Sequence, residues 1–316
     1  MRDRMPAGRA SEMQREHHGR RPEPEEDTMN ERPSWKGKEA LVADDRVTVF
    51  YDGIFAEPQL NHPEGIAIDD EGYIWCGGEA GEIFRIDPDG RRMELAASTG
   101  GFTLGVALDH QGNLYSCDLK LSAVFKLNTK TGELRRFADG DGRGGKLRIP
   151  NAPVVDAVNG FLYVSDSFDA GQAGPGIWRF DLETGRGGLW YGLPLRFANG
   201  LALSDSGDGL FVAETFAYRV SRIPIEKDGA PGVKEEVTDV PALPDGITLD
   251  PQGRIYVSCY EPSLLYRYSD RAGLELLYYD AIAHTLCHPT NCAFRGKDLF
   301  VSNLGRWHIT RIADVL

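Results

Sequence analysis

Residues 245–269 read DGITLDPQGRIYVSCYEPSLLYRYS, three apolar runs separated by tight polar turns. Ile, Val, Leu and Tyr fill the runs, and Asp, Pro and Gly stand between them, which is the pattern of three short antiparallel strands. Five more stretches share the outline: EGIAIDDEGYIWCGGEAGEIFRID from Glu64, LGVALDHQGNLYSCDLKLSAVFKLN from Leu104, NAPVVDAVNGFLYVSDS from Asn151, NGLALSDSGDGLFVAETFAYRVSRI from Asn199 and NCAFRGKDLFVSNLGRWHITRI from Asn291. These starts lie 40 to 48 residues apart, the length of a four-stranded propeller blade.

Fourth strands are expected at RMELAAS from Arg92, ELRRFAD from Glu133, GGLWYGL from Gly187, EEVTDV from Glu235 and LELLYYD from Leu274. Blade six lacks one, because the sequence ends at Leu316 after a third strand. The missing strand is VTVFYDG from Val47, ahead of blade one. A ring whose last blade takes its outer strand from the N-terminal side has no free edge at the join. The fold expected is therefore all-β, a six-bladed β-propeller over residues 41–316.

The first 38 residues hold seven apolar residues, nine basic and eight acidic ones. Such a segment buries too little apolar surface to offset its ordering entropy, so residues 1–40 are expected to be a disordered tail. No apolar stretch of a secretory signal follows the early arginines, and Met29 offers an alternative start. Beyond the tail stand 26 basic and 40 acidic residues, a field that repels phosphate backbones. Nucleic acid is not an expected partner, and no apolar run is long enough for a membrane span. The five cysteines form no CxxC pair and leave one odd, which suits a reducing compartment, the cytoplasm.

In a propeller the first strand of each blade lines the axis. Residues at its start therefore meet at one end of the tunnel. Aligning the blades puts Glu64, Leu104, Asn151, Asn199, Asp245 and Asn291 there. Taken singly, Asn199-Gly200 and Asp245-Gly246 read as turn pairs. Glu64-Gly65 and Asn151-Ala152 do not, since Glu is a poor turn former and Ala cannot replace Gly at positive φ. Two carboxylates and two amides match one divalent cation in charge. All-oxygen donors favour Ca²⁺ first, then Mg²⁺ or Mn²⁺, with Zn²⁺ a further option. Four protein ligands leave positions for water and a small-molecule substrate.

Second strands return to the same face and end at Gly78, Asp118, Asp166, Glu214, Cys259 and Asn303. Asp118, Asp166 and Glu214 are candidates to orient the ligands or to meet substrate hydroxyls, against the simpler role of solvating hairpin ends. Asn291 and His288 are further candidates of this kind. His62 and His288 lie near the mouth, where either could act as a base or merely be solvated. His308, with Arg306 and Trp307, is placed on a third strand as a structural residue. The Gly-rich segments 139–150 and 168–176 are expected to be mobile and to form a lid. The DGDG run at 139 has Pro150 where a calcium loop needs Glu, so it is not one. No serine-hydrolase elbow, P-loop, zincin or dinucleotide motif occurs.

HPEGIAID around Glu64, IPNAPVVD around Asn151, FANGLALS around Asn199 and LPDGITLD around Asp245 resemble the gluconolactonase, regucalcin and luciferin-regenerating enzyme family, as does the ending PTNCAFRGKDLFVSNLGRWHITRI. The resemblance covers about Val47 to Ile312. It implies that Glu64, Asn151, Asn199 and Asp245 hold the metal and that Asp245 is also the catalytic base. VAETFAYRVSRI in blade four is similar to strictosidine-synthase-like proteins. Gly65 and Ala152 stand where paraoxonases carry acidic residues for a second calcium, so a single ion is expected. The activity implied is metal-dependent hydrolysis of a lactone, a sugar lactone first, with water activated by Asp245 or by hydroxide on the ion. The alternatives are an esterase or phosphotriesterase on the same metal, and a non-catalytic propeller that binds a metabolite or a protein.

Overall fold

The computed structural model describes residues 35–316. Residues 1–34 of the expected tail lie outside the described residues. Of the six residues that remain from it, Trp35 meets Tyr279 edge-on at 6.1 Å, and Ala40 packs on the same apolar cluster.

Strand β1 (Val47–Asp52) comes first. Blade one is β2 (Ile66–Ile68), β3 (Ile74–Gly77), β4 (Glu82–Ile86) and β5 (Met93–Ser98). Blade two is β6 (Thr103–Leu108), β7 (Asn113–Asp118), β8 (Ala123–Asn128) and β9 (Leu134–Ala138). Blade three is β10 (Pro150–Asp156), β11 (Phe161–Asp166), β12 (Gly174–Asp181) and β13 (Gly187–Leu195). Blade four is β14 (Ala198–Leu203), β15 (Gly209–Glu214), β16 (Arg219–Pro224) and β17 (Glu235–Asp239). Blade five is β18 (Pro244–Leu249), β19 (Ile255–Cys259), β20 (Leu264–Ser269) and β21 (Gly273–Tyr279). Blade six is β22 (Pro289–Arg295), β23 (Asp298–Asn303), β24 (His308–Ile312) and, on its outside, β1.

Each sheet is an antiparallel meander, and all five expected fourth strands lie where the alternation of apolar residues puts them. β1 pairs with β24 from Val47 opposite Ile312 to Asp52 opposite His308, which closes the ring. Inner strands touch their neighbours all the way round, and β22 meets β2. The core lies between blades. Val42, Val47, Tyr256, Leu265, Leu299 and Ile312 form one such layer, joining the N-terminal segment to blades five and six. Helical structure among the described residues is limited to the turns Asp44–Arg46 and Thr215–Ala217.

Regular pairing of first and second strands breaks at one place in five blades. The register shifts between Thr103 and Val106, Pro150 and Pro153, Ala198 and Leu201, Pro244 and Ile247, and Pro289 and Cys292. At each break two inner-strand residues oppose one partner, a bulge that re-aims the first of them. The re-aimed residues are Leu104, Asn151, Asn199, Asp245 and Thr290. The register thus corrects the alignment of blade six, in which Asn291 occupies the second bulge position and Thr290 the first. Short apolar runs alone do not fix such a one-residue slip.

Candidate functional site

The bulges decide between turn and ligand. Gly65, Gly105, Gly200 and Gly246 are absent from the positive-φ glycines, so none serves a left-handed turn. They are glycine because the next blade's backbone passes too close. A Cβ on Gly65 would stand 2.6 Å from the Leu104 carbonyl oxygen, and one on Gly200 2.6 Å from that of Asp245. One on Gly105 would stand 2.5 Å from the Asn151 carbonyl oxygen. This close approach packs the first bulge residues of adjacent blades around one end of the tunnel.

Glu64, Asn151, Asn199 and Asp245 are all buried. The Asn151 amide donates to Ser167 Oγ at 3.1 Å, and Ser167 donates to the Ala198 carbonyl of the next blade at 2.8 Å. Blade four repeats the device: Asn199 donates to Thr215 Oγ1 at 3.2 Å, and Thr215 donates to the Pro244 carbonyl at 2.8 Å. Each amide nitrogen is thereby engaged by the hydroxyl sixteen residues on, which leaves the amide oxygen available to another partner. Asn151 Oδ1, Asn199 Oδ1 and Asp245 Oδ1 are buried acceptors without a hydrogen-bond partner. The hydroxyls of Thr103, Tyr115, Ser116 and Tyr266 share that condition, but these three oxygens occupy one phase of the ring. Buried acceptors are rarely left unpaired, and three together ask for a donor or a cation.

The electrostatics agree. Burial raises the Glu64 carboxyl from 4.5 to about 7. Burial, and then the charge of Glu64, hold Asp245 well above the usual carboxylate range, with the Asn199 amide offsetting part of the rise. Two desolvated carboxylates that feel each other resist double ionisation, and a divalent cation between them removes the conflict. Oxygen type, net charge and unpartnered atoms therefore fit one hard divalent ion held by Glu64, Asn151, Asn199 and Asp245. Among the described residues no group of three or more His, Cys, Asp and Glu side chains could hold a metal. This set includes only two such residues and takes its other oxygens from amides.

Thr290 and Asn291 do not contribute oxygens to that set. Thr290 Oγ1 at 2.8 Å, Asn291 Nδ2 at 3.1 Å and Ser302 Oγ at 2.5 Å all donate to the Glu64 carbonyl, which anchors that residue's backbone. The second-strand carboxylates are likewise engaged within the chain. Asp118 accepts from Phe102 N, Leu121 N and Thr99 Oγ1. Asp166 accepts from Arg148 N, Ile149 N and Phe168 N. Glu214 accepts from Arg196 N, Ser221 Oγ and Lys234 Nζ. Asn303 Oδ1 takes Cys287 N in the same way. These side chains tie down the loop that leads into the inner strand of their own blade. Their engagement leaves little capacity for substrate hydroxyls.

His288 Nδ1 lies 3.1 Å from the Tyr260 carbonyl oxygen and 3.2 Å from Glu261 Oε2, with its ring stacked on Tyr260 at 4.6 Å. His62 Nδ1 pairs with Glu79 at 2.5 Å. Its ring lies 4.7 Å from that of Trp307, which stands on the turn before β24 rather than on the strand, at φ 51°. That placement corrects the third-strand assignment of Trp307 and Arg306. His308 is buried, with Nε2 2.8 Å from the Thr285 carbonyl oxygen, as a structural residue should be.

The lid expectation also changes. The tip of segment 139–150 is closed by the Gly140–Lys146 bridge and by Asp141, which accepts from Arg143 N and Gly145 N. It shares a cleft with residues 185–189 of blade three, where β13 begins. Only its end reaches the rim, where the Arg148 guanidinium covers the Phe168 ring at 4.4 Å and pairs with Asp169 at 3.0 Å. Sequence reasoning missed Ser167 and Thr215. Their signal was present, since each follows its Asn by sixteen residues within the matching triplets Asp166-Ser167-Phe168 and Glu214-Thr215-Phe216.

The pattern described as SMP-30/Gluconolactonase/LRE-like region matches residues 94–304. A strictosidine synthase-like, N-terminal pattern matches residues 54–86, in blade one. The chain is 26% identical over 247 residues to a pentonolactonase of Haloferax volcanii, covering 73% of this chain and 76% of that one. A gluconolactonase structure from Xanthomonas campestris superposes with a TM-score of 0.70 at 20% identity, over 84% of this chain and 88% of that one. A calcium-binding regucalcin from Agrobacterium tumefaciens gives a TM-score of 0.64 at 17% identity, over 80% and 90%. With the family pattern covering residues 94–304, well over half of the chain and all of blades two to five, the chain belongs to the SMP-30/gluconolactonase/LRE-like family.

Proposed function

We propose that the protein is a divalent-metal-dependent lactonase. The observation that carries this reading is the set of buried, unpartnered oxygens of Asn151, Asn199 and Asp245 gathered in one phase of the ring with Glu64. The pentonolactonase relative supports the reaction class, and the calcium-binding neighbour supports Ca²⁺ as the first ion to try.

Glu64, Asn151, Asn199 and Asp245 would hold the ion, which supplies Lewis-acid stabilisation of negative charge developing on the lactone carbonyl oxygen. Asp245 has a carboxylate oxygen without a protein partner, so it is the group able to take a proton from the attacking water. Water adds to the carbonyl carbon, the ring C–O bond breaks, and the proton passes to the departing alkoxide. The product is an open hydroxy acid. Ser167 and Thr215 act earlier, by engaging the two Asn amide nitrogens so that their oxygens stay available. Sugar lactones, which the family likeness suggests, are the first substrates to assay. The five cysteines are free and buried, in keeping with a reducing compartment.

Asp245→Asn keeps an oxygen donor but removes the base. It should lower kcat on lactones by about 10²–10⁴-fold while calorimetry still registers Ca²⁺ binding. Undiminished turnover in that variant would dismiss the mechanism.

A further inference from the structure

Five aromatic residues flank the strand ends that carry the candidate oxygens. Phe102 lies two residues before Leu104, and Phe197 two residues before Asn199. Phe168 and Phe216 directly follow Ser167 and Thr215, the hydroxyls that fix the two Asn amides. Burial, and then the charges of nearby Asp245 and Glu64, raise the Tyr260 phenol. All five rings are half-buried, with part of each surface open. Phe197 and Phe216 pair at 4.9 Å, Tyr260 is backed by His288, and Phe168 is backed by Arg148.

Two further observations point the same way. Phe168 and Phe197 hold left-handed backbone at φ 62° and 60°, uncommon for bulky residues and maintained where the surrounding structure enforces it. The sixth position of the inner ring is Leu104, buried and apolar, where its counterparts bear oxygen. Meanwhile Asp118, Asp166, Glu214 and Asn303, the groups best placed to greet hydroxyls, are already occupied by main-chain amides.

We infer that the mouth selects lactones whose ring carries an apolar substituent, an alkyl chain or a fused aryl ring, over polyhydroxylated ones. This rests on the lactonase reading and refines its substrate class. The substituent lies on the Phe102, Phe168, Phe197, Phe216 and Tyr260 rings, while the ester group faces the four oxygens. Water leaves the open ring surfaces, and discrimination follows from the apolar area covered.

The test uses the full chain loaded with Ca²⁺ and three six-membered lactones: δ-decanolactone, dihydrocoumarin and glucono-δ-lactone. The expected result is a kcat/KM at least about tenfold higher for one or both apolar lactones, a size typical of discrimination by apolar contact. The two apolar substrates separate an alkyl from an aryl preference. Phe216→Ala and Phe102→Ala should each shrink the apolar-to-gluconolactone ratio, and a thermal melt checks that each variant folds. Equal or better use of glucono-δ-lactone by the unmodified protein overturns the inference. If no lactone is hydrolysed, the lactonase reading fails, and calorimetry with the unhydrolysed cyclic amides decides what is left. Tighter binding of δ-decanolactam than of gluconolactam, weakened by Phe216→Ala, sustains the apolar site. The reverse order removes it.

Discussion

Glu64 and Asp245 make the metal-free protein sensitive to pH in a direction that can be stated beforehand. Both carboxyls sit above their ordinary values when folded, through burial first and, for Asp245, the charge of Glu64 next. Between about 4.5 and about 7 the folded state therefore binds more protons at Glu64 than the unfolded chain does. This contribution to stability is full below the unfolded value and is lost as pH rises through the folded one. Urea midpoints in EDTA should fall from pH 5 to pH 8, and the fall should be smaller in Glu64→Gln. Saturating Ca²⁺ should flatten it, because the ion takes over the role of the protons, and Ca²⁺ affinity should weaken as pH drops from 8 to 6. A metal-free midpoint that rises with pH equally in both proteins would contradict the buried-pair argument. The candidate oxygens were legible in the sequence because Glu64-Gly65 and Asn151-Ala152, before an inner strand, have no turn role to explain them. Whether Asp118, Asp166 and Glu214 would face substrate or their own backbone was not, since that depends on where loops distant in sequence bring their amides.

At the level of strands, the bulge in blades two to six is the element that turns a propeller repeat into a site. Ser258 and Ser302 sit opposite it in blades five and six. Ser258 lies 3.2 Å from Gly246 N and 3.1 Å from its carbonyl oxygen, and Ser302 accepts from Asn291 N at 3.2 Å. Ala152 occupies the second bulge position in blade three, so the bulge itself admits a Cβ. At Gly200 the obstacle is instead the blade-five backbone at Asp245 and Gly246. Gly200→Ala should accordingly cost about 1–3 kcal/mol through backbone displacement, and it should loosen Ca²⁺ binding as Asp245 is pushed. Denaturant midpoints and calorimetry report the two effects together. Loss of stability without loss of affinity would separate the bulge from the site. The strands themselves were readable from alternation and turn residues. The one-residue slip that exchanges Thr290 for Asn291 was not, because TNCAFR satisfies either alignment until β22 is paired with β23.

The whole ring depends on one non-local pairing. β1 covers the outer edge of β24, and its first residue Val47, with Val42 just before the strand, enters the core layer shared with Leu265, Leu277 and Leu299. The main chain at Leu41 and Val42 also donates to the Leu276 and Leu277 carbonyls, which ties the same segment to blade five. This closure was the most legible global feature, since counting strands left blade six one short. Deleting residues 1–53 should expose the hydrogen-bonding edge of β24 and strip apolar cover from blades five and six. Edge pairing with another copy is then the favoured escape. Such a chain should elute as oligomers in size-exclusion chromatography and should lose a sharp thermal transition. A chain beginning at Trp35 keeps every described contact and serves as the control, with a midpoint within about 2 °C of the full protein, close to the shift that 1 kcal/mol produces in a domain of this size. If the shorter chain stays monomeric and melts at the same temperature as that control, closure by the N-terminal strand is not what holds Glu64 in blade one against Thr290 and Ser302 in blade six.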